Sequence, residues 1–270
     1  MIQYTISDSE FTLFRDFIYK QAGISLSAGK KTLVTSRLSK RLRHYSLESF
    51  QQYFDLIMSP AHPDEIQTTI DLLTTNETYF FRETKHFDFL EQSFLPKWKP
   101  GKTLRIWSAA SSTGEEAYSI AMVLQDKLGT RPWEIFGSDI NYQVLTTARR
   151  GHYSLARIDG IPNNYLKSYC LKGIGEQKGT LLVTKELRDK ITFEPVNLTK
   201  PLRDVGLFDI IFLRNVLIYF DTETKKKIIK QLADKLAPKG YLIVGHSESL
   251  KDIHDGLETV IPTVYQWRQK

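Results

Sequence analysis

Before residue 100, apolar positions recur every three or four places. Phe11, Phe14, Phe17 and Ile18 form one such stripe, the period of a helix with a single buried face. Ser7 and Glu10 stand just ahead of it at capping-box spacing. A second stripe, Val34, Leu38, Leu42 and Tyr45, predicts a helix over residues 28–45, and the pattern returns over 47–58 and 63–73. No strand pattern precedes residue 100. Beyond it, short strand-like runs at 103–107, 133–137, 191–194, 208–213 and 241–244 alternate with helical periodicity at 116–128, 141–150 and 222–236. Asp221 is placed to cap the last of these helices, and 237–240 to stop it. Alternation of this kind predicts a parallel, doubly wound sheet. Residues 257–267 suit an edge hairpin. Residues 155–190 break the alternation with a short helix and Gly173, Gly175 and Gly179, the pattern of a small inserted subdomain. Residues 96–102, Pro-Lys-Trp-Lys-Pro-Gly-Lys, read as a linker.

Composition narrows the class. The chain has 270 residues, 41% hydrophobic and 25% charged, which suits a globular protein with a sizeable core. Its one cysteine, Cys170, allows no internal disulfide. With no signal-like apolar run in residues 1–25, that suggests a reducing, cytoplasmic setting. No apolar stretch is long enough to span a membrane. No Cys/His cluster has metal-ligand spacing, so no metal is expected. The net charge is +6, and Lys30, Lys31, Arg37, Lys40, Arg41 and Arg43 lie close together with no acid among them. This segment points to an acidic partner, or else forms a solvated face.

Three places carry candidate chemistry. After the first strand, residues 107–116 read Trp-Ser-Ala-Ala-Ser-Ser-Thr-Gly-Glu-Glu. Small residues between a strand and a helix let a ligand approach the backbone. With Gly114 as the loop's one glycine and Glu115 and Glu116 behind it, the loop suits a cationic or zwitterionic ligand better than a pyrophosphate. That disfavours a nicotinamide-dependent oxidoreductase. Asp139, at the next strand end, is placed to accept two ribose hydroxyls or to cap the following helix. The buried run 208–213 ends in Arg214 and Asn215, at the carboxyl edge where such sheets bind ligands. The Asn/Asp-Pro-Pro-aromatic motif of amino-group methylation is absent there, which opposes a nucleic-acid base as substrate. His246 reads as a buried, hydrogen-bonded structural histidine.

Several blocks, in order, resemble the chemotaxis receptor glutamate methyltransferases of the CheR type. They are 75–82 (Thr-Asn-Glu-Thr-Tyr-Phe-Phe-Arg), 110–119 (Ala-Ser-Ser-Thr-Gly-Glu-Glu-Ala-Tyr-Ser), 138–140 (Ser-Asp-Ile), 214–220 (Arg-Asn-Val-Leu-Ile-Tyr-Phe) and 245–248 (Gly-His-Ser-Glu). The resemblance implies an α/β fold: a Rossmann-like class I methyltransferase sheet with an all-helical N-terminal domain and a small inserted antiparallel β subdomain. The corresponding segments are 1–85 (helical), 86–102 (linker) and 103–270 (methyltransferase), with the insert at about 155–193. The implied cofactor is S-adenosylmethionine, converted to S-adenosylhomocysteine. Its implied contacts are Asn76, Thr78, Arg82, Glu116, Asp139, Asn197, Leu198, Arg214 and Asn215. Arg82 and Tyr219 would position the reacting groups without a general base, since a glutamate acceptor is already ionised at neutral pH. Arg37 and Arg41 would meet the receptor. Implied partners are the cytoplasmic domains of chemoreceptors, with a receptor C-terminal peptide at the β subdomain. The chain is expected to be a monomer, without nucleic acid or membrane insertion. The alternatives are a non-enzymatic cofactor-binding receptor scaffold and a methyltransferase with another substrate.

Overall fold

The computed structural model describes residues 4–99 and 101–268, and the chain divides into two compact units. The first holds residues up to Thr75, with Tyr219–Thr224. Its helices are α1 (Asp8–Ala22), α2 (Lys31–His44), α3 (Phe50–Met58) and α4 (Glu65–Leu73). Both halves of the capping box at Ser7 and Glu10 are made, and Gly23 ends α1 in the left-handed region at φ 71°, a conformation cheap for glycine. Of the expected stripes, Phe11, Phe14, Phe17, Ile18, Val34, Leu38 and Leu42 are buried, as are Phe50, Tyr53 and Ile57, whereas Tyr45 is half-buried. Tyr19 donates to Asp221, 2.7 Å, and the Asp221 carboxylate accepts from Thr224 N, 2.8 Å, which is the expected cap.

One polar group lies inside this helical core. The Glu65 carboxylate is 4% exposed. It accepts two bonds from Arg41, each 2.7 Å, and one each from Tyr45 and Tyr53 at 3.0 and 2.7 Å. Burial raises its pKa, but Arg41 and the two phenols outweigh burial and hold it below the ordinary carboxylate value. Arg37 donates to the carbonyls of Leu73 and Thr74, 2.9 and 2.8 Å, closing the end of α4. Both guanidinium groups expected at a receptor surface are thus engaged within the helical unit, whereas Lys30, Lys40 and Arg43 are exposed.

The second unit comprises Asn76–Ile218 and the chain from Lys225 onward. It opens with α5 (Lys85–Asp88) and continues through β1 (Leu104–Ser108), α6 (Glu115–Leu128), β2 (Trp133–Asp139), α7 (Tyr142–Arg150), β3 (His152–Ser154), α8 (Asn163–Tyr169), β4 (Cys170–Lys172), β5 (Thr180–Val183), α9 (Lys185–Arg188), β6 (Ile191–Pro195), β7 (Phe208–Leu213), α10 (Thr222–Ala233, entered from the first unit), β8 (Leu236–Val244), β9 (Leu257–Ile261) and β10 (Val264–Trp267). The main sheet has the order β6-β2-β1-β7-β8-β10-β9. Its first five strands are parallel, and β10 is antiparallel to both neighbours. A separate antiparallel sheet, β3-β5-β4, is the insert. Gly137 lets β2 and β6 close up, since a Cβ there would lie 2.4 Å from the Phe193 ring.

Three expectations are corrected. The linker expected at 86–102 is helical over its first half, and Phe87, Phe89, Leu90 and Leu95 are buried in the second unit. The domain boundary therefore falls after Thr75, not after residue 85, because these apolar side chains have a core to join. Pro100, in the same stretch, lies outside the described residues. The insert's sheet spans His152–Val183, and residues 191–195 belong to the main sheet. Residues 237–240, expected as a turn, lie within β8: Phe208 faces Leu236 but Ile210 faces Tyr241, so the extra residues bulge from the strand.

Removing the cation from the buried Glu65 carboxylate tests the helical core. Arg41→Met is predicted to destabilise the chain by about 3 kcal/mol, read as a lower urea midpoint. Because Glu65's pKa is lowered on folding, its contribution is full above about pH 4.5 and is lost as pH falls through the folded value. The midpoint difference should narrow in acid; an equal midpoint at neutral pH would show that Arg41 is not structural.

Candidate functional site

The carboxyl ends of β1, β2 and β7 lie side by side, with Ser108 opposite both Gly137 and Phe212. From there the chain enters the small-residue loop and reaches Gly114, left-handed at φ 96°. A Cβ on Gly114 would come within 2.9 Å of the Ala148 Cβ, so glycine lets the start of α6 sit against α7. Ser112, also left-handed at φ 48°, turns its N–H onto Asp139 Oδ2, 2.9 Å, while Asn141 N–H takes Oδ1, 3.0 Å. The helix-cap role falls to Asn141, whose side chain accepts from Gln143 and Val144. Asp139 is 8% exposed. Ser112 Oγ donates to Asn76 O, 2.8 Å, so Asn76, the loop and Asp139 form one connected edge. Val196 N–H bonds Asp139 O, 3.0 Å, which brings the turn holding Asn197 and Leu198 to the same edge.

The two acids of the loop separate. Glu115 is fully buried, bound by Thr113 and by Arg157, each at 2.6 Å. Burial nevertheless keeps its pKa raised. Arg157 also reaches Thr78 O, 3.4 Å, and Tyr153 donates to Thr113 O, 2.7 Å. The insert thus braces the loop. Glu116 turns the other way and accepts from Ser108 at 2.7 Å and Arg214 at 2.8 Å.

Arg214 is the hub, with 2% of its side chain exposed. Besides Glu116, it binds Glu83 Oε2 at 3.0 Å and the carbonyl of Arg82, and its Nε is buried with no hydrogen-bond partner. Glu83 also accepts from Asn215 Nδ2, 3.1 Å, and His246 N–H, 3.2 Å. Burial raises the Glu83 pKa, but Asn215 and Arg214 outweigh it and keep the carboxyl low. Phe81, Glu83 and Asn215 all have left-handed backbone, with φ of 56°, 57° and 56°, a concentration of strain that marks functional sites. Glu248, 6% exposed, pins the following turn by accepting from the N–H groups of Asn215, Leu217 and Gly245 at 2.9, 2.8 and 2.7 Å. Arg82 itself lies near the Tyr79 ring and donates to Glu77 O, 2.9 Å.

The second unit therefore connects Asn76, Asp139, Glu116, Arg214 and Asn215, with Thr78 tied in by Arg157. Arg37, Arg41 and Tyr219 belong to the first unit, where Tyr219 O accepts from Ser25 N–H, 2.9 Å. His246 is exposed, contrary to expectation; the buried histidine is His86. His246 stays outside because its turn holds Glu83 through the backbone, not the ring. Sequence reasoning missed Glu83, which sits in a charged run resembling a solvated face. It also gave no role to Glu248, although that residue lies in a matched block.

Residues 9–74 match the family described as "CheR methyltransferase, all-alpha domain", and residues 76–265 match "CheR methyltransferase, SAM binding domain". The chain is similar to the "Chemotaxis protein methyltransferase" of Escherichia coli (strain K12), 41% identical over 263 residues that cover 96% of this chain and 91% of the relative. It is 40% identical to the "Chemotaxis protein methyltransferase 2" of Pseudomonas aeruginosa over 266 residues, 97% of this chain and 94% of that one. A relative from Borreliella burgdorferi, named "Chemotaxis protein methyltransferase", is 34% identical over 98% of this chain and 96% of its own length. With both of its domains matched and its strand ends carrying the loop, acid and arginine described above, the chain belongs to the CheR family of S-adenosylmethionine-dependent methyltransferases.

Proposed function

We propose that this methyltransferase forms γ-glutamyl methyl esters on the cytoplasmic domains of chemoreceptors, acting as a monomer in the cytoplasm. The observation that carries the reading is the near-full-length similarity to proteins named for chemotaxis, in a chain whose strand-end residues suit a zwitterionic, cationic cofactor. Among the described residues no helix is long and apolar enough to cross a membrane.

The residues present fit S-adenosylmethionine. Arg214 between Glu83 and Glu116 leaves a net charge of −1 at the strand ends, complementary to a cationic ligand, and the buried Ser111 Oγ and Arg214 Nε lack protein partners. Asp139 would hold the ribose, and Asn197 and Leu198 would flank the adenine. Glu116, Arg214 and Asn215 would hold the methionine end, with Asn76, Thr78 and Arg82 contributing from the chain before α5. The bound cofactor supplies a methyl group on a sulfonium, whose leaving group is a neutral thioether. The protein's own work is to orient the acceptor carboxylate, exclude water and fix opposing charges. Arg82 would pair with a carboxylate and Tyr219 would orient the acceptor oxygen; neither removes a proton. On the helical unit, Arg37 and Arg41 are the receptor contacts carried over from the resemblance. The exposed Lys30, Lys40 and Arg43 add attraction for acidic receptor helices. The inserted sheet would seat a receptor C-terminal peptide.

Incubation with methyl-labelled cofactor and receptor-bearing membranes should give label on a receptor that base releases, as an ester requires. Base-stable label would point to nitrogen methylation, and binding without transfer to a scaffold.

Asp139→Ala should weaken cofactor binding by tenfold or more, since charge-assisted hydrogen bonds contribute roughly 1.5–3 kcal/mol each. Calorimetry on a folded variant with unchanged affinity would remove Asp139 from the ribose.

Tyr219→Phe should slow turnover and leave cofactor affinity nearly intact. In the wild type, the single-turnover rate should show no basic group titrating near pH 7, because an acceptor of pKa about 4.3 needs no base. A rate that rises through one protein group near pH 7, and loses that rise in His246→Ala, would establish general-base catalysis instead.

A further inference from the structure

Beside the Arg214 hub, three side chains converge that the methyl-transfer reading leaves unused or only partly used. Glu83 and His86 lie one turn apart at the start of α5, and His246 comes from the turn after β8. One ligand atom of each lies within 4.8 Å of the other two. The His86 ring is 1% exposed, and its two nitrogens differ. Nε2 lies 2.8 Å from Thr263 Oγ1. The Thr263 hydroxyl proton is directed at Pro262 O, so Thr263 accepts and Nε2 carries the imidazole proton. Nδ1 is then a bare lone pair, buried and with no hydrogen-bond partner. It faces Glu83 Oε2 at 3.6 Å, too far for a hydrogen bond and with no proton to share. The His86 lone pair is thus the acceptor without a donor here, and it stands beside a carboxylate oxygen that can turn from Arg214 and His246 N–H to share a cation with it. The exposed His246 ring packs edge-on to His86, centroids 4.9 Å apart, and completes a two-nitrogen, one-oxygen donor set.

We propose that Glu83, His86 and His246 bind a divalent transition-metal ion of the zinc class, and that the bound ion inhibits methyl transfer. Two neutral imidazoles and a carboxylate suit zinc rather than calcium or magnesium, which prefer all-oxygen shells. The bond from His86 Nε2 to Thr263 is the outer contact that fixes a metal-binding histidine in the required tautomer. With three protein donors and one exposed side, the fourth position goes to water. Inhibition follows from shared atoms and rests on the methyltransferase reading. Glu83 Oε2 now holds Arg214 Nη2 and His246 N–H, so an ion that takes this oxygen releases one anchor of Arg214. The three ligands are scattered along the sequence, which hides them from any spacing motif.

The test uses the full chain, stripped with a chelator and titrated with Co2+, whose visible ligand-field bands report nitrogen and oxygen donors. Wild type should develop intense four-coordinate bands that Zn2+ displaces. His246→Ala, an exposed substitution, should weaken Co2+ binding more than about tenfold, and Glu83→Gln likewise. Cys170→Ser should leave the spectrum unchanged. Absence of bands in wild type, their persistence in His246→Ala, or their loss in Cys170→Ser would overturn the site. Zn2+ should slow single-turnover methyl transfer by wild type but not by His246→Ala; equal inhibition of both would overturn the regulatory part. Failure of the receptor-methylation reading would leave the Co2+ result standing.

Discussion

A guanidinium at the end of a fully buried strand is the constraint around which the site is organised. Arg214 has 2% of its side chain exposed, and a charge so placed must be matched by partners inside the protein. Glu116 supplies one from the first turn of α6 and Glu83 the other from the chain entering α5. Removing either partner of such a pair costs about 3–5 kcal/mol. The backbone has been bent to deliver them: Glu83 and Asn215 both sit in the left-handed region, and they face each other across a 3.1 Å hydrogen bond. Glu248 then absorbs three N–H groups that the turn would otherwise leave unpaired. A strand end, a helix start and two turns are held to one geometry by a single charge.

Much of this was legible in the sequence where one local rule decides. Residues 208–213 read as a strand whose apolar positions are broken only by Asp209, and all six are buried with the expected bounds. Ser7 and Glu10 announced the start of α1, and the small-residue loop announced the tight turn that Ser112 and Gly114 make between β1 and α6. Legibility ended where the deciding partner is far along the chain. Glu115 and Glu116 are adjacent in sequence and were read as a pair, but α6 turns one toward the insert and the other toward the sheet edge. Glu83 looked like one charge among several, because its partner lies 131 positions later. Residues 86–97 looked like connecting chain, because four apolar side chains do not reveal which core receives them. In β8, a Pro-Lys-Gly sequence that signals a turn was overridden by pairing on both sides, and the strand kept it as a bulge.

The basic segment shows the same division between composition and context. Six cations without a nearby acid suggested one surface with one purpose. In the folded helical unit they divide: Arg41 neutralises an acid from α4, Arg37 closes that helix's carbonyls, and others remain exposed. The buried Glu65 and its two tyrosine donors select arginine over lysine at position 41, since only the planar fork meets both carboxylate oxygens at once.

The insert built on the small β3-β5-β4 sheet has a wider meaning through two of its own side chains. Tyr153 and Arg157 hold Thr113 and Glu115, and Glu115 is wholly out of water. Excising the insert would strand that carboxylate without its counter-charge. The subdomain is therefore not a detachable accessory on a self-sufficient catalytic core. A lineage shedding it would have to change position 115 in the same step, and a designer transplanting it onto another methyltransferase would have to bring the buried acid along. Modularity visible in the outline of the fold is withdrawn by one ion pair beneath it.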